Sequence, residues 1–276
     1  TLLASSAASD VYKRQHENSE YFSVMKQELE SIISRNMPDC SKLLGVGISL
    51  PAIIGEDRKT VTYATVIPLS LNIYNFFSDY IHAPFLFFND ASSAGLAESW
   101  KGDYTDAVAY LSLSSSIGGA YMNNKMIYAG ANNRGGEFGH MTIVPHGKRC
   151  YCGRYGCLDA YCTANTLTDF TDGNLKEFFD ILKTGNNKGI QNVFEDYTDY
   201  LAIAVNNLRM CFDCDVILGG NVGAYMADYI DDFRKKAIQL NPFEKDGSYI
   251  RVCHYRTEAA AVGAAIYYIE QFIQNF

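Results

Sequence analysis

The chain has 276 residues, 48% of them hydrophobic, which is enough for one large core or two modest ones and argues against a disordered chain. Its 31 acidic residues outnumber 23 basic ones for a net charge of −8, and without a basic run this is a poor surface for gripping nucleic-acid phosphates. No apolar run approaches the ~18 residues a membrane-crossing helix needs.

The first 15 residues, TLLASSAASDVYKRQ, lack the basic and apolar regions of a full signal peptide and carry no helical or strand period. They are expected to be a disordered or non-native extension, and the cysteines are accordingly expected to be reduced and the chain cytoplasmic. Residues 16–37 carry apolar side chains at Tyr21, Phe22, Val24, Met25, Leu29, Ile32 and Ile33, the spacing of an amphipathic helix. KLLGVGISL then reads as a buried strand ended by Pro51, and IYNFFSDYI as a helix. APFLFFND reads as a buried parallel strand with Asp90 at its carboxyl end, followed by the small-residue helix ASSAGLAESW. In DAVAYLSLSSSIGGAYMNNKMIYAG, two strand-like runs flank Gly118–Gly119, and Asn123–Asn124 predicts a hairpin turn. Helices are predicted through LKEFFDILKTG and VFEDYTDYLAIAVNNLRMCF. The strand CDVILGG, a helix near AYMADYIDDFRKKAI, the strand YIRVCHY and the helix AAAVGAAIYYIEQF complete the chain. Strands alternating with helices predict α/β architecture with largely parallel sheets.

Between the hairpin and the later helices lies GHMTIVPHGKRCYCGRYGCLDAYC. Cys150, Cys152 and Cys157 fall within eight residues, and Gly153 and Gly156 let the backbone curl so that the sulfurs converge. Three thiolates leave a tetrahedral zinc one ligand short; His140 offers the fourth, with His146 and Cys162 as competitors. The alternative is a set of reduced cysteines with no metal. A closed four-ligand site would be structural, because no coordination position is left for a substrate. The second C-x-x-C, Cys211 to Cys214, lies between an apolar helix and a buried strand, where cysteine packs as a small hydrophobe.

These residues carry a resemblance. GGEFGHMTIVPHGKRCYCGRYGCLDAY is similar to the signature of the ROK family (repressors, open reading frames and kinases), roughly Gly-Glu-x-Gly-His and then Cys-x-Cys-Gly-x-x-Gly-Cys-Leu-Glu. GVGISLP, NDASSAGLAE and VILGGNVG resemble the family's sugar-side loop, its Asn-Asp-Ala motif and its adenosine-side glycine loop. The resemblance covers about residues 20–276. It implies a two-domain fold of the actin-like ATPase and sugar-kinase class (ribonuclease H-like), with sugar in the cleft between domains. The expected division is a partial small α/β domain over 16–107 with the C-terminal helix 258–276, and a larger α/β domain over 108–257 bearing the metal loop. The resemblance also implies zinc held by His140, Cys150, Cys152 and Cys157, and sugar hydroxyls bound by Asn89, Asp90, Glu137, His140 and Asp159. In kinase members the residue matching Asp90 is the general base on the hydroxyl that attacks ATP. Such chemistry suits these side chains, since hydroxyls both donate and accept and a carboxylate can take a proton. Each has a plainer role as well: Asp90 as a helix cap, Glu137 as a solvated loop acid.

The chain also departs from the kinases. No Asp-x-Gly-Gly-Thr hairpin precedes the helix at 16–37, so the first phosphate loop and its strands are expected to be missing, leaving one sheet with an exposed edge. The second phosphate loop, Gly-Thr-Gly-Ile-Gly in kinases, reads Ser114-Ser115-Ser116-Ile117-Gly118, and glycines are what allow close backbone approach to phosphate. Asp159 replaces Glu, and Pro51-Ala52 replaces Pro-Gly. The expected function is therefore the sugar-sensing body of a ROK-type transcriptional regulator. A winged-helix module outside this chain would carry DNA binding, and the resemblance allows a homodimer. The alternative is an N-terminally truncated sugar kinase using ATP and Mg, with Gly118, Gly219 and Gly220 at the nucleotide.

Overall fold

The computed structural model describes residues 19–36, 42–64, 73–79 and 81–275. The expectation for residues 1–15 lies outside them. Two compact units emerge: one runs to Ala97 and resumes at Thr257, and the other covers Glu98–Arg256.

In the first unit, α1 (Ser19–Asn36) precedes β1 (Val46–Leu50), the short strands β2 (Ile53–Ile54) and β3 (Val61–Tyr63), α2 (Ile73–Ser78) and β4 (Phe85–Asn89). β1 and β4 pair in parallel from Val46↔Phe85 to Leu50↔Asn89, and among the described residues this sheet has two strands. Phe85 and Phe87 bury against Ile73 and Phe77 of α2; Tyr74 stacks on Phe85 at 4.4 Å and Phe77 meets Phe87 edge-on at 5.4 Å. Aromatic pairs in these offset and edge geometries add to the area they bury. α3 (Asp90–Lys101) follows β4 without a connecting loop, and the division between units falls inside it. The C-terminal helix Ala259–Gln274 lies against β1 and α3 through small residues. A Cβ on Gly263 would run into the Ser93 carbonyl, and one on Gly47 would come within 2.7 Å of the Ala264 carbonyl.

The second unit is built on a five-stranded sheet. β5 (Ala107–Leu113), β6 (Ile117–Asn123) and β7 (Met126–Ile127) run antiparallel. After the metal loop come the short helices α4 (Asp159–Cys162) and α5 (Ala164–Thr168), and then α6 (Leu175–Thr184) and α7 (Lys188–Phe212). β8 (Asp215–Gly219) returns parallel to β5; α8 (Gly220–Gly223) and α9 (Ile230–Ile238) lead to β9 (Ile250–Val252), parallel to β8. The order is β7-β6-β5-β8-β9, a mixed sheet where a largely parallel one was expected. The reason is local. Ser114–Ser116 is too short a link for a crossover, so β6 must fold straight back on β5, with Leu113 opposite Ile117.

Two other details correct the sequence reading. Gly118 and Gly119 sit inside β6 rather than between strands, because the chain at Gly136 and Phe138 passes directly over Gly119. The hairpin turn is one residue later than expected: Asn124 and Lys125 are left-handed (φ 51° and 61°), and Asn123 pairs with Met126. Two successive left-handed residues make the tight turn whose twist matches the strands it joins.

Helices α6 and α7 are each started by an asparagine side chain, Asn174 accepting from the Glu177 amide and Asn187 from the Ile190 amide, both at 3.1 Å. α7 buries Leu201, Val205 and Leu208 in one core with Leu111, Val216 and Leu218 of the sheet and Phe178 and Phe179 of α6. Glu98, with no solvent exposure, accepts from the amides of His254 (2.9 and 3.0 Å) and Tyr255 (2.8 Å) and stands 3.2 Å from His254 Nδ1, tying the chain after β9 to α3.

Candidate functional site

The cysteine-rich loop begins at the 3-10 turn Phe138–His140 and ends at α4. Two isolated bridges, Thr142↔Cys157 and Arg149↔Tyr155, fold it back on itself. Gly156 is at φ +78°, and a Cβ there would meet the Val144 carbonyl, so only glycine passes at this crossing. The Ile143 amide donates to the Gly156 carbonyl at 2.8 Å and the Cys150 amide to the Arg154 carbonyl at 2.8 Å.

This folding gathers His140, Cys150, Cys152 and Cys157, whose ligand atoms all lie within 4.8 Å of one another. Cys152 Sγ is 3.8 Å from Cys157 Sγ, and Cys150 Sγ is 3.8 Å from His140 Nδ1. A tetrahedral ion with metal–sulfur bonds of ~2.3 Å has edges of ~3.8 Å, so the four groups could hold a metal ion. Burial pushes the Cys150 thiol up to about 12 and raises Cys157. Cys152 is partly desolvated too, but the Arg154 amide and the two neighbouring thiols donate to its sulfur and lower its pKa. Thiolates are the metal-binding form of cysteine, so a divalent cation bound here would draw the protons from the three sulfurs. His146, at φ 59°, and Cys162 are outside the cluster. Cys162 is fully buried in α4, its thiol 3.6 Å from the Tyr197 carbonyl, while Tyr197 donates back to the Cys162 carbonyl at 2.8 Å. Of the second C-x-x-C, Cys214 is buried as expected, but Cys211, near the C-terminal end of α7, is exposed and does not pack in the core.

The residues expected at a sugar fall on both units. On the first, Asn89 Oδ1 accepts from the Ser92 amide at 2.8 Å, capping α3, and its Nδ2 donates to the Ala52 carbonyl at 3.1 Å. Asp90 opens α3, its Oδ1 accepting from the Ala91 amide at 2.8 Å. Cap geometry and ligand contact are compatible, since each carboxylate or amide oxygen has a second lone pair. On the second unit, Glu137 is exposed and makes no side-chain cap bond to the 3-10 turn. His140 directs Nδ1 at the thiols and Nε2 towards the Tyr151 hydroxyl, 3.4 Å away.

Asp159 is 5% exposed and accepts from the Ile117 amide at 2.7 Å. Burial raises its pKa, against the pull of that amide and of His140. Gly118 lies in β6; Gly219 ends β8, and Gly220, at φ +75°, would place a Cβ 2.7 Å from Ser114 Oγ. Ser114 Oγ accepts from the Asn221 amide at 3.2 Å. The sequence reading did not pick out Tyr151, the Ile117 amide or the Asn221 amide. Tyr151 was in view as the residue between the two cysteines of C-x-C, but the amides carry no side-chain signal.

The α/β fold with its mixed sheet is that of the sugar-kinase and actin-like ATPase class. In three dimensions the chain is similar to a ROK hexokinase from Thermus thermophilus, with a TM-score of 0.74 at 22% identity, covering 95% of this chain and 89% of that one. The chain belongs to the ROK family, whose model matches residues 3–271. Relatives include a xylose repressor of Bacillus subtilis (strain 168), 27% identical over 182 residues, and a glucokinase of Halalkalibacterium halodurans, 25% identical over 281 residues. The repressor alignment takes in 64% of this chain and 47% of the repressor, so the chain spans about half the length of that relative. The glucokinase alignment takes in 86% of this chain and 83% of the enzyme. Among the described residues no helix is long and apolar enough to cross a membrane.

Proposed function

We propose that this chain is the sugar-sensing body of a ROK-type transcriptional regulator. It binds a hexose or related sugar, and a structural zinc is held by His140, Cys150, Cys152 and Cys157. One observation carries the choice of sensor over enzyme: one backbone amide in each of the two loops matching the kinases' nucleotide loops already has an internal acceptor. Ile117 donates to the Asp159 carboxylate at 2.7 Å, and Asn221 donates to the Ser114 hydroxyl at 3.2 Å. An anionic acceptor on Ile117 repels a phosphate at the same amide, and Ser114 places a side chain against Gly220, where close backbone approach would be needed. Similarity to a xylose repressor supports the same reading.

Zinc fits the donor set. Three soft thiolates and an imidazole at tetrahedral spacing select it over hard cations, and a closed set leaves it no position for a substrate. The metal supplies rigidity. His140, with Nδ1 on the metal side, keeps Nε2 for a hydrogen bond, and Glu137 and Asp159 at the two ends of the loop read neighbouring hydroxyls. DNA contact belongs to a module outside this chain, and a homodimer and a cytoplasmic location go with the regulator reading.

The second reading is a sugar kinase, with Asp90 as general base and ATP and Mg as co-substrates. Its support is the glucokinase relative, of which the chain spans 83%, and the position of Asp90 at the end of β4. Calorimetry against a hexose and pentose panel, with and without ATP and Mg, together with a coupled turnover assay, separates the two. Sugar binding that is unaltered by ATP, with no turnover, is the expected result. Robust turnover would overturn the sensor reading.

A further inference from the structure

Beside the metal loop, on the second unit, lies an open cleft of about 420 Å³ whose wall includes Asp159, Tyr151, Lys148, Arg149, Thr166 and Asp169. Glu137 and His140, two of the three second-unit residues assigned above to the sugar, do not line it. Asp159 does, and so does Tyr151, whose hydroxyl reaches to 3.4 Å from His140 Nε2. The cleft therefore shares Asp159 with the proposed sugar site and is also lined by Asn165 and Thr166 of α5.

Its chemistry is that of a polyol site. Two cations, Lys148 and Arg149, and two carboxylates, Asp159 and Asp169, line it, so the formal charges cancel. An anionic ligand would gain from the first pair and lose to the second, whereas a neutral ring of hydroxyls can donate to one pair and accept from the other. Tyr151, 51% exposed, offers an aromatic face of the kind that packs on the C–H side of a pyranose. The Lys148 ammonium is held over the Tyr161 ring at 5.0 Å, which fixes one donor of the wall. A volume of this size holds a whole small ligand rather than a single functional group.

We infer that this cleft is a second glycosyl subsite, so that the ligand is a disaccharide or larger glycoside whose terminal ring occupies the site proposed above. The inference rests on that reading, and the test separates the two. Calorimetry of the full chain compares glucose with maltose and cellobiose, xylose with xylobiose, and includes glucose 6-phosphate as the anionic probe. The expected result is that one disaccharide binds at least about tenfold more tightly than its monosaccharide. The Arg149→Ala and Asp169→Ala variants, both changed at exposed positions, should abolish that gain while leaving the monosaccharide Kd within about twofold and the melting curve intact. Monosaccharide binding with no gain from a second ring, or a gain that survives both variants, overturns the subsite and leaves the sugar-sensing reading standing. Tighter binding of glucose 6-phosphate than of any disaccharide also overturns it, in favour of an anion site. Binding of no sugar of either size overturns both readings.

Discussion

At the scale of single residues, the four cysteines of the metal segment divide by what their sulfurs face. Cys150, Cys152 and Cys157 face one another and His140, whereas Cys162 turns into the core towards the Tyr197 carbonyl. Cys152→Ser should therefore lose the metal, and Cys162→Ser should keep it at about one ion per chain while costing roughly 1 kcal/mol of packing. Elemental analysis of the two purified variants checks the first statement and urea unfolding the second; metal retained by Cys152→Ser would remove it from the ligand set. Spacing pointed to His140 as the fourth ligand but left His146 and Cys162 in competition, and resemblance to a family signature favoured His140. What Asp159 does was not legible. Its carboxylate reaches the Ile117 amide across 42 residues, and a hydrogen bond to backbone leaves no trace in the partner's side chain. Glu98 is a second such case: nothing in ASSAGLAESW announces that its glutamate is fully buried and receives amides from His254 and Tyr255, 156 and 157 residues away.

Among the elements, periodicity located most helices and strands, and the errors cluster where tertiary contact overrode local pattern. The sequence pattern places a break at Gly118–Gly119, yet both are strand, and Gly119 lets the Gly136–Phe138 segment pass close above. The strand predicted from Lys42 starts at Val46, and the helix predicted from Val193 starts at Lys188, where the Asn187 side chain caps it. The contact between α9 and α7 was also invisible in sequence. Lys236 Nζ sits 2.8 Å from Glu195 Oε1, 2.6 Å from Asp199 Oδ1 and 2.8 Å from Thr198 Oγ1. Partial burial works against its charge, but the bonds to Asp199 and Glu195 outweigh this and raise its pKa above 10.5. A pKa raised on folding contributes stability that is complete below the unfolded value and is lost as pH rises through the folded one. Lys236→Met should accordingly cost about 1 kcal/mol at pH 7, discounted for the solvent that screens the two carboxylates. The gap between variant and parent should close only above pH 10.5, the ordinary lysine value. Urea titrations at pH 7, 9 and 11 test it, and a gap as large at pH 11 as at pH 7 would assign the effect to packing rather than charge.

For the molecule as a whole, the chain returns at Thr257 to complete the unit it began, a discontinuity that α/β alternation does not encode. Each unit has its own hydrophobic core, one around Phe85 and Phe87 and the other around Leu111, Leu201 and Leu218. The single tryptophan, Trp100, belongs to the second unit, so its fluorescence reports that unit's unfolding. The metal loop lies in the same unit. Chelation should lower the fluorescence-monitored midpoint by roughly 5–10 °C, because a metal bound only by the folded state adds its binding free energy to stability. An unchanged midpoint in protein shown by elemental analysis to be metal-free would mean that the loop holds its shape without the ion.

The two amide contacts at Ile117 and Asn221 bear on history as well as on chemistry. If the chain descends from a nucleotide-using ancestor, the way back is not a single step. Ser114→Gly frees the Asn221 amide but leaves Asp159 on Ile117, and Asp159→Glu moves that carboxylate while the Ser114 hydroxyl stays against Gly220. On the sensor reading proposed above, neither single change is expected to regain a nucleotide site, so selection would have no gradient to climb and the loss would behave as a ratchet. Nucleotide calorimetry on each single variant tests this, and affinity recovered by either one alone would show that the ratchet does not hold.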